Sequence, residues 1–307
     1  IDINIVSISK ITTLIYSLNL FILFKIFKKI SSTLIAFFLI FIIFLIHPYN
    51  IYPWPDYFSG ISLSLFFYFF LKKNSNYNFF LCSVFLFLAV FFRSTYLINI
   101  LISIIAFSLF LYFFGKKNVY KNIFNSFFLL ASIYFIILFY FDSLFELFNQ
   151  SITFIRAYAG ETKHINLYNK ITSYVGAYGF IILKIFYYAF RSALNLFNIS
   201  NFENLIFVFF IIVNFFYFLK IFKKKLNLND EEKKFLFISI LGLSGFVQAV
   251  MLMEIFRIIN ATIGIFLTGL FFFQYDKINL FTKKYSKVIL LFIFVYGITL
   301  YSKFNII

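Results

Sequence analysis

Apolar residues run along this chain in long blocks separated by short clusters of lysine. A block of about 20 apolar residues, in a range of about 17 to 25, is long enough to cross a bilayer as a helix. Residues 11–27 form the first such block, closed by Lys25, Lys28 and Lys29. Residues 33–46 and 58–71 form two shorter ones, joined by a loop that holds all three prolines, Pro48, Pro53 and Pro55. This hairpin is expected to thin the bilayer locally or to use its aromatic loop as an interfacial belt. Residues 79–114 are predominantly apolar, with the cluster Arg93-Ser94-Thr95 as the one charged interruption. That stretch is too long for one helix, so it predicts two spans that turn at the arginine.

Further spans are expected at residues 123–141, 205–219, 235–251, 258–273 and 288–302, with the charged run 227–234 as a loop. Residues 142–204 form the longest segment without a clean span. Within it, residues 171–197 read as an amphipathic helix on the outer interface, carrying Lys184 and Arg191. A hairpin crossing twice is the alternative. The lysine clusters after the first, third, fifth, seventh and ninth spans hold 18 of the 27 basic residues, which assigns them to the cytoplasm. The fold class is therefore all-α, a polytopic transmembrane helix bundle of about ten spans. It forms one transmembrane domain over residues 1–307, with both ends outside. The chain opens on Ile1 rather than Met. An outer N-terminus follows naturally if one span lies upstream, so the sequence is expected to be a fragment lacking its N-terminal span.

Composition agrees with this pattern: 63% of residues are hydrophobic and 12% charged, where a soluble domain carries about 25% charged residues. The net charge of +16 could suggest nucleic acid, but the cations sit between apolar runs as topology signals, so no nucleic-acid partner is expected. Cys82 is the single cysteine, and the two histidines, His47 and His164, lie far apart. No protein-ligated metal site and no cofactor are expected from them, and a divalent cation is left open. The motifs of serine hydrolases, zinc proteases and nucleotide-binding folds do not occur. No acid falls in mid-span, which counts against a proton-coupled transporter.

Four places could carry chemistry. Arg93, at an outer turn, could pair a phosphate, since a guanidinium fork matches phosphate oxygens; the plain alternative is an arginine snorkelling to the interface. The Pro-rich loop carries Trp54 and Asp56, which could contact a substrate, though Asp56 also suits the head of the next helix, where a cap contributes about 0.5–2 kcal/mol. Glu254 and Arg257 stand at i and i+3, either neutralising each other or leaving the arginine for an anion. Arg156, Lys163, His164, Lys170, Lys184 and Arg191 make the outer segment basic, as a loop over anionic lipid or as a funnel for a phosphorylated head group.

The chain resembles the polytopic membrane glycosyltransferases of the GT-C fold, the protein-mannosyltransferase and aminoarabinose-transferase-like group. The resemblance lies in Ile8-Ser9-Lys10-Ile11, in Pro53-Trp54-Pro55-Asp56-Tyr57-Phe58-Ser59-Gly60, in Phe87-Leu88-Ala89-Val90-Phe91-Phe92-Arg93-Ser94-Thr95, and in Arg257-Ile258-Ile259-Asn260. It covers most of the chain in topology and about 30 residues in motif. It implies sugar transfer from a polyprenyl-phosphate donor to a glycan, lipid or protein acceptor at the outer face of a bacterial inner membrane. Arg93, Arg257 and Arg191 would hold the donor phosphate, and Asp56 and Trp54 would form a substrate loop. The family's catalytic aspartate would lie upstream of Ile1, so the resemblance assigns no catalytic residue here. A polysaccharide polymerase or ligase, relying on Arg156, His164 and Arg191, and a non-enzymatic transporter or flippase are the alternatives.

Overall fold

The computed structural model describes residues 5–46, 55–93, 95–113, 120–141, 143, 202–223, 228–246 and 255–275. Among the described residues the chain is all-α, with no strand. The helices are α1 (Ile5–Ile30), α2 (Thr33–Ile46), α3 (Pro55–Phe70), α4 (Asn76–Phe92), α5 (Thr95–Phe113), α6 (Lys121–Tyr140), α7 (Phe202–Lys223), α8 (Asp230–Ser244) and α9 (Ile255–Tyr275). Three segments are long and apolar enough to cross a membrane by length and composition: Ser9–Ile30, Thr95–Phe113 and Lys121–Tyr140. The expected last span, at residues 288–302, and the interfacial helix, at residues 171–197, lie outside the described residues.

The long run at residues 79–114 does divide at the arginine: α4 ends at Phe92, Arg93 caps it in extended conformation, and α5 starts at Thr95. The expected loop at residues 227–234 is corrected. From Asp230 onward it is helix, because Asn229 and Glu232 form a reciprocal capping box and Asp230, Glu231 and Glu232 place three carboxylates against the positive end of α8.

Helix α3 is the hub, packing on α1, α4 and α9. At 16 residues it spans only about 24 Å, and most of it is buried, with Ser59, Gly60, Ser62 and Ser64 letting neighbours approach. Phe237 of α8 anchors an aromatic knot, its ring within 5.3–6.1 Å of Phe66, Phe70, Phe107 and Phe124. Helices α8 and α9 approach through glycine: a Cβ on Gly264 would meet the backbone of Gly242 at 3.1–3.2 Å and collide with the Ile238 carbonyl. Phe235 then stacks on Phe271 at 3.8 Å.

The polarity of the bundle is inverted relative to a water-soluble one. Ser59, Ser83, Ser103, Asn214, Ser239 and Thr268 are buried, while Phe21, Phe37, Ile105, Leu129, Ile136, Phe139, Phe215 and Phe216 are exposed. The buried hydroxyls and amides tie helices together. Ser59 donates to the Ala89 carbonyl (3.0 Å), Ser83 to the Ile123 carbonyl (3.0 Å), and Asn214 to the Ile265 carbonyl (3.0 Å) while accepting from Ser239. Interhelical bonds of this kind hold helices where apolar contact alone does not drive association. An apolar exterior around a polar-stapled interior is the arrangement of a membrane protein.

The helix ends sort by charge. Lys29 at the end of α1 donates to the Leu71 carbonyl (2.6 Å), and Lys234 at the start of α8 donates to the Lys72 carbonyl (2.5 Å), both just past α3. Tyr120, before α6, donates to the Asp230 carbonyl (3.3 Å), and Tyr217, late in α7, donates to the Glu232 carbonyl (2.9 Å). Five lysine-bearing helix ends are thereby gathered at one end of the bundle. Burial and the neighbouring Lys29 lower the Lys234 pKa from the ordinary lysine value.

Candidate functional site at the ion-paired end

The opposite end of the bundle is built from the start of α3, the end of α4 and the start of α5. Pro55 opens α3, where its fixed φ and missing N–H fit the first helical position, and Asp56 follows in the first turn. Across from it, Arg93 leaves the helical conformation after Phe92 and turns its side chain onto Asp56 in a direct ion pair. The Asp56 side chain is 3% exposed and the Arg93 side chain 21%, so the acid is nearly closed from solvent while the arginine keeps part of its surface exposed. Phe58 and Phe92 pack beside it with ring centroids 5.1 Å apart. The two side chains that the sequence singled out separately, one as a helix-head stabiliser and one as a phosphate ligand, are thus a single unit.

One turn below Asp56, Gly60 gives room to Asn260 of α9, whose Cγ would lie 2.8 Å from a Cβ at Gly60. Asn260 accepts from the Asn19 amide of α1 (3.4 Å), which carries the polar layer across α3 to the first helix. Tyr16 of α1 sets its ring edge-on to Tyr57 at 5.8 Å, and its hydroxyl reaches the Ile43 carbonyl near the end of α2 (3.5 Å). Three of the sequence segments that carried the resemblance, around Asp56, Arg93 and Asn260, therefore meet at this end.

On the α5 side a polar stripe descends from the ion pair. The Tyr96 amide donates to the Arg93 carbonyl (3.0 Å), and Tyr96, Asn99 and Ser103 follow at i, i+3 and i+7, all fully buried. Asn99 accepts from Ser244 at the end of α8, and Ser103 shares a hydrogen bond of 2.6 Å with the same hydroxyl. Among the described residues the buried Tyr96 hydroxyl and Asn99 side-chain N–H₂ find no hydrogen-bond partner, nor does the buried Asn19 side-chain oxygen. Sequence reading missed this stripe, although polar residues at helical spacing inside an apolar run were the signal for it.

Arg257 lies in the first turn of α9, beginning the segment that ends in Asn260. Trp54, Glu254, Arg191, Arg156, Lys163, His164, Lys170 and Lys184 lie outside the described residues. Cys82 is free and buried in α4. Among the described residues no group of three or more His, Cys, Asp or Glu side chains comes together. Against known proteins, the chain matches no family model, no curated sequence and no solved structure.

Proposed function

We propose that the chain is a multi-pass membrane glycosyltransferase that uses a polyprenyl-phosphate-linked sugar, with its substrate end on the outer face of a bacterial inner membrane. The observation that carries this reading is the Asp56–Arg93 pair, with Asn260 one turn beneath it, at the end of the bundle remote from the lysines. A lipid-linked donor enters such a bundle from the side, and its phosphate needs a cation at the membrane boundary. An arginine held in place by a buried carboxylate, with part of its side chain still exposed, is a preorganised anion ligand: it keeps its orientation without spending ligand energy on ordering a long side chain. Arg257 and Arg191 complete the proposed phosphate set, and Trp54 joins Asp56 in the substrate loop. The acceptor is a glycan, lipid or protein. No residue is assigned as the catalytic base.

The test is transfer of radiolabelled sugar from polyprenyl-phosphate donors in membranes carrying each variant. Arg93→Ala should lower transfer about 10- to 150-fold, the usual loss for one charge-assisted hydrogen bond. Because that change also strips Asp56 of its partner, Arg93→Lys is the companion. It keeps a positive charge beside the carboxylate but loses the fork, and it should fall well below wild type at normal abundance. Wild-type transfer in both variants would contradict the reading. Transfer abolished by Arg156→Ala or His164→Ala, with both Arg93 variants active, would favour a polymerase or ligase instead.

A further inference from the structure

We infer that Tyr96 and Asn99 form a subsite for the hydroxyl groups of a sugar, set directly beneath the Asp56–Arg93 pair. This inference rests on the proposed function and adds to it which residues of the chain hold the sugar rather than the phosphate.

The argument starts from unsatisfied groups. Ser59, Ser62, Ser83, Ser103, Asn214, Ser239 and Thr268 are buried and each finds a partner within the bundle. The Tyr96 hydroxyl and the Asn99 N–H₂ find none among the described residues, though both residues are fully buried. A buried polar group left without a partner costs about 1–3 kcal/mol, so two on adjacent turns of one helix are expensive unless something else binds there. They belong to a neutral polar stripe that begins beside Arg93, the less buried member of the ion pair.

The chemistry of the two groups selects the ligand. A phenol both donates and accepts, a primary amide N–H₂ only donates, and neither carries charge. That set suits neutral hydroxyls and brings no positive charge for a second phosphate. Asn99 is held in orientation from the other side, since its oxygen accepts from Ser244, which fixes the N–H₂ on the opposite edge of the amide. A sugar attached to a phosphate at Arg93 would extend its hydroxyls along this stripe.

The experiment uses the full chain in lipid nanodiscs and measures affinity for undecaprenyl phosphate and for its glucosyl, mannosyl, galactosyl and arabinosyl conjugates. The wild type should bind at least one conjugate more tightly than the bare lipid phosphate. Tyr96→Phe should reduce that gain about 3- to 10-fold, the loss of one neutral hydrogen bond, and leave affinity for the bare lipid unchanged. Its melting temperature should not fall, because the hydroxyl has no partner among the described residues to lose. The paired change Asn99→Leu/Ser244→Ala, which removes both partners together, should likewise erase the gain. Conjugates binding no better than bare lipid in the wild type, or an intact gain in both variants, would overturn the subsite while leaving the phosphate reading standing. A lowered melting temperature in Tyr96→Phe with the gain intact would assign the hydroxyl a structural role and also overturn it. No binding of bare undecaprenyl phosphate by the wild type would instead remove the proposed function, and the subsite with it.

Discussion

Asp56 is stabilised twice over: by the positive end of the α3 dipole and by the guanidinium of Arg93. From sequence, its replacement would cost only what a helix cap contributes. With a buried partner the cost is larger, because removing either side chain's charge leaves the other buried and uncompensated. Asp56→Asn and Arg93→Gln should each destabilise the protein by about 3 kcal/mol, the low end for a buried pair because Arg93 keeps part of its surface exposed. The double variant should lose much less than the sum of the two. Thermal unfolding of the three variants in detergent tests this, and strictly additive losses would mean that the ion pair does not couple the two helices. A single sequence shows that both residues are unusual, but not that they touch, because contact across α3 and α4 depends on how the two helices cross. Tyr96, Asn99 and Ser103 are legible in principle from their spacing, whereas the lack of a partner for the Tyr96 hydroxyl and the Asn99 N–H₂ among the described residues depends on how α8 packs against α5.

At the scale of elements, the apolar blocks locate the described helices because backbone polar groups in hydrocarbon leave few alternatives to helix. Boundaries shift where local chemistry overrides hydropathy. Helix α1 extends to Ile30 through Lys28 and Lys29, which suit the negative end of the helix, and α8 begins at Asp230 because Asn229 caps it. The shortness of α3 has a physical reason that sequence could not supply, since a helix enclosed by α1, α4 and α9 presents little of itself to lipid. Close packing of this kind depends on small residues. Gly264→Leu should force α9 from the α8 backbone and cost about 3 kcal/mol or more, with loss of a monodisperse folded species. Ile136→Ala, on the exposed face of α6, should change stability by about 0.5 kcal/mol or less. Equal effects of the two would contradict the interior and exterior faces described above.

For the whole molecule, the exposed phenylalanines, isoleucines and leucines form an exterior fit for lipid, and the polar side chains are turned inward. Charge divides the two ends. Lys29, Lys72, Lys234 and the capping box of α8 gather at one, and Asp56, Arg93 and the head of α5 at the other. Hydropathy and lysine clustering made this asymmetry legible in advance, because topology is written in composition. The convergence of the Asp56, Arg93 and Asn260 segments was not, because it depends on tertiary packing around Gly60. The claim on which the functional reading depends is that the ion-paired end faces outward. Single cysteines at Asn76 and Asn229 at the lysine end, and at Asn50 beside the Pro-rich loop, test it in cells through labelling by a membrane-impermeant maleimide, in a background where Cys82 is replaced by Ala. Cysteine at Asn50 should label in intact cells, and those at Asn76 and Asn229 only after the membrane is opened; the reverse pattern would place the Asp56–Arg93 end in the cytoplasm and contradict the account.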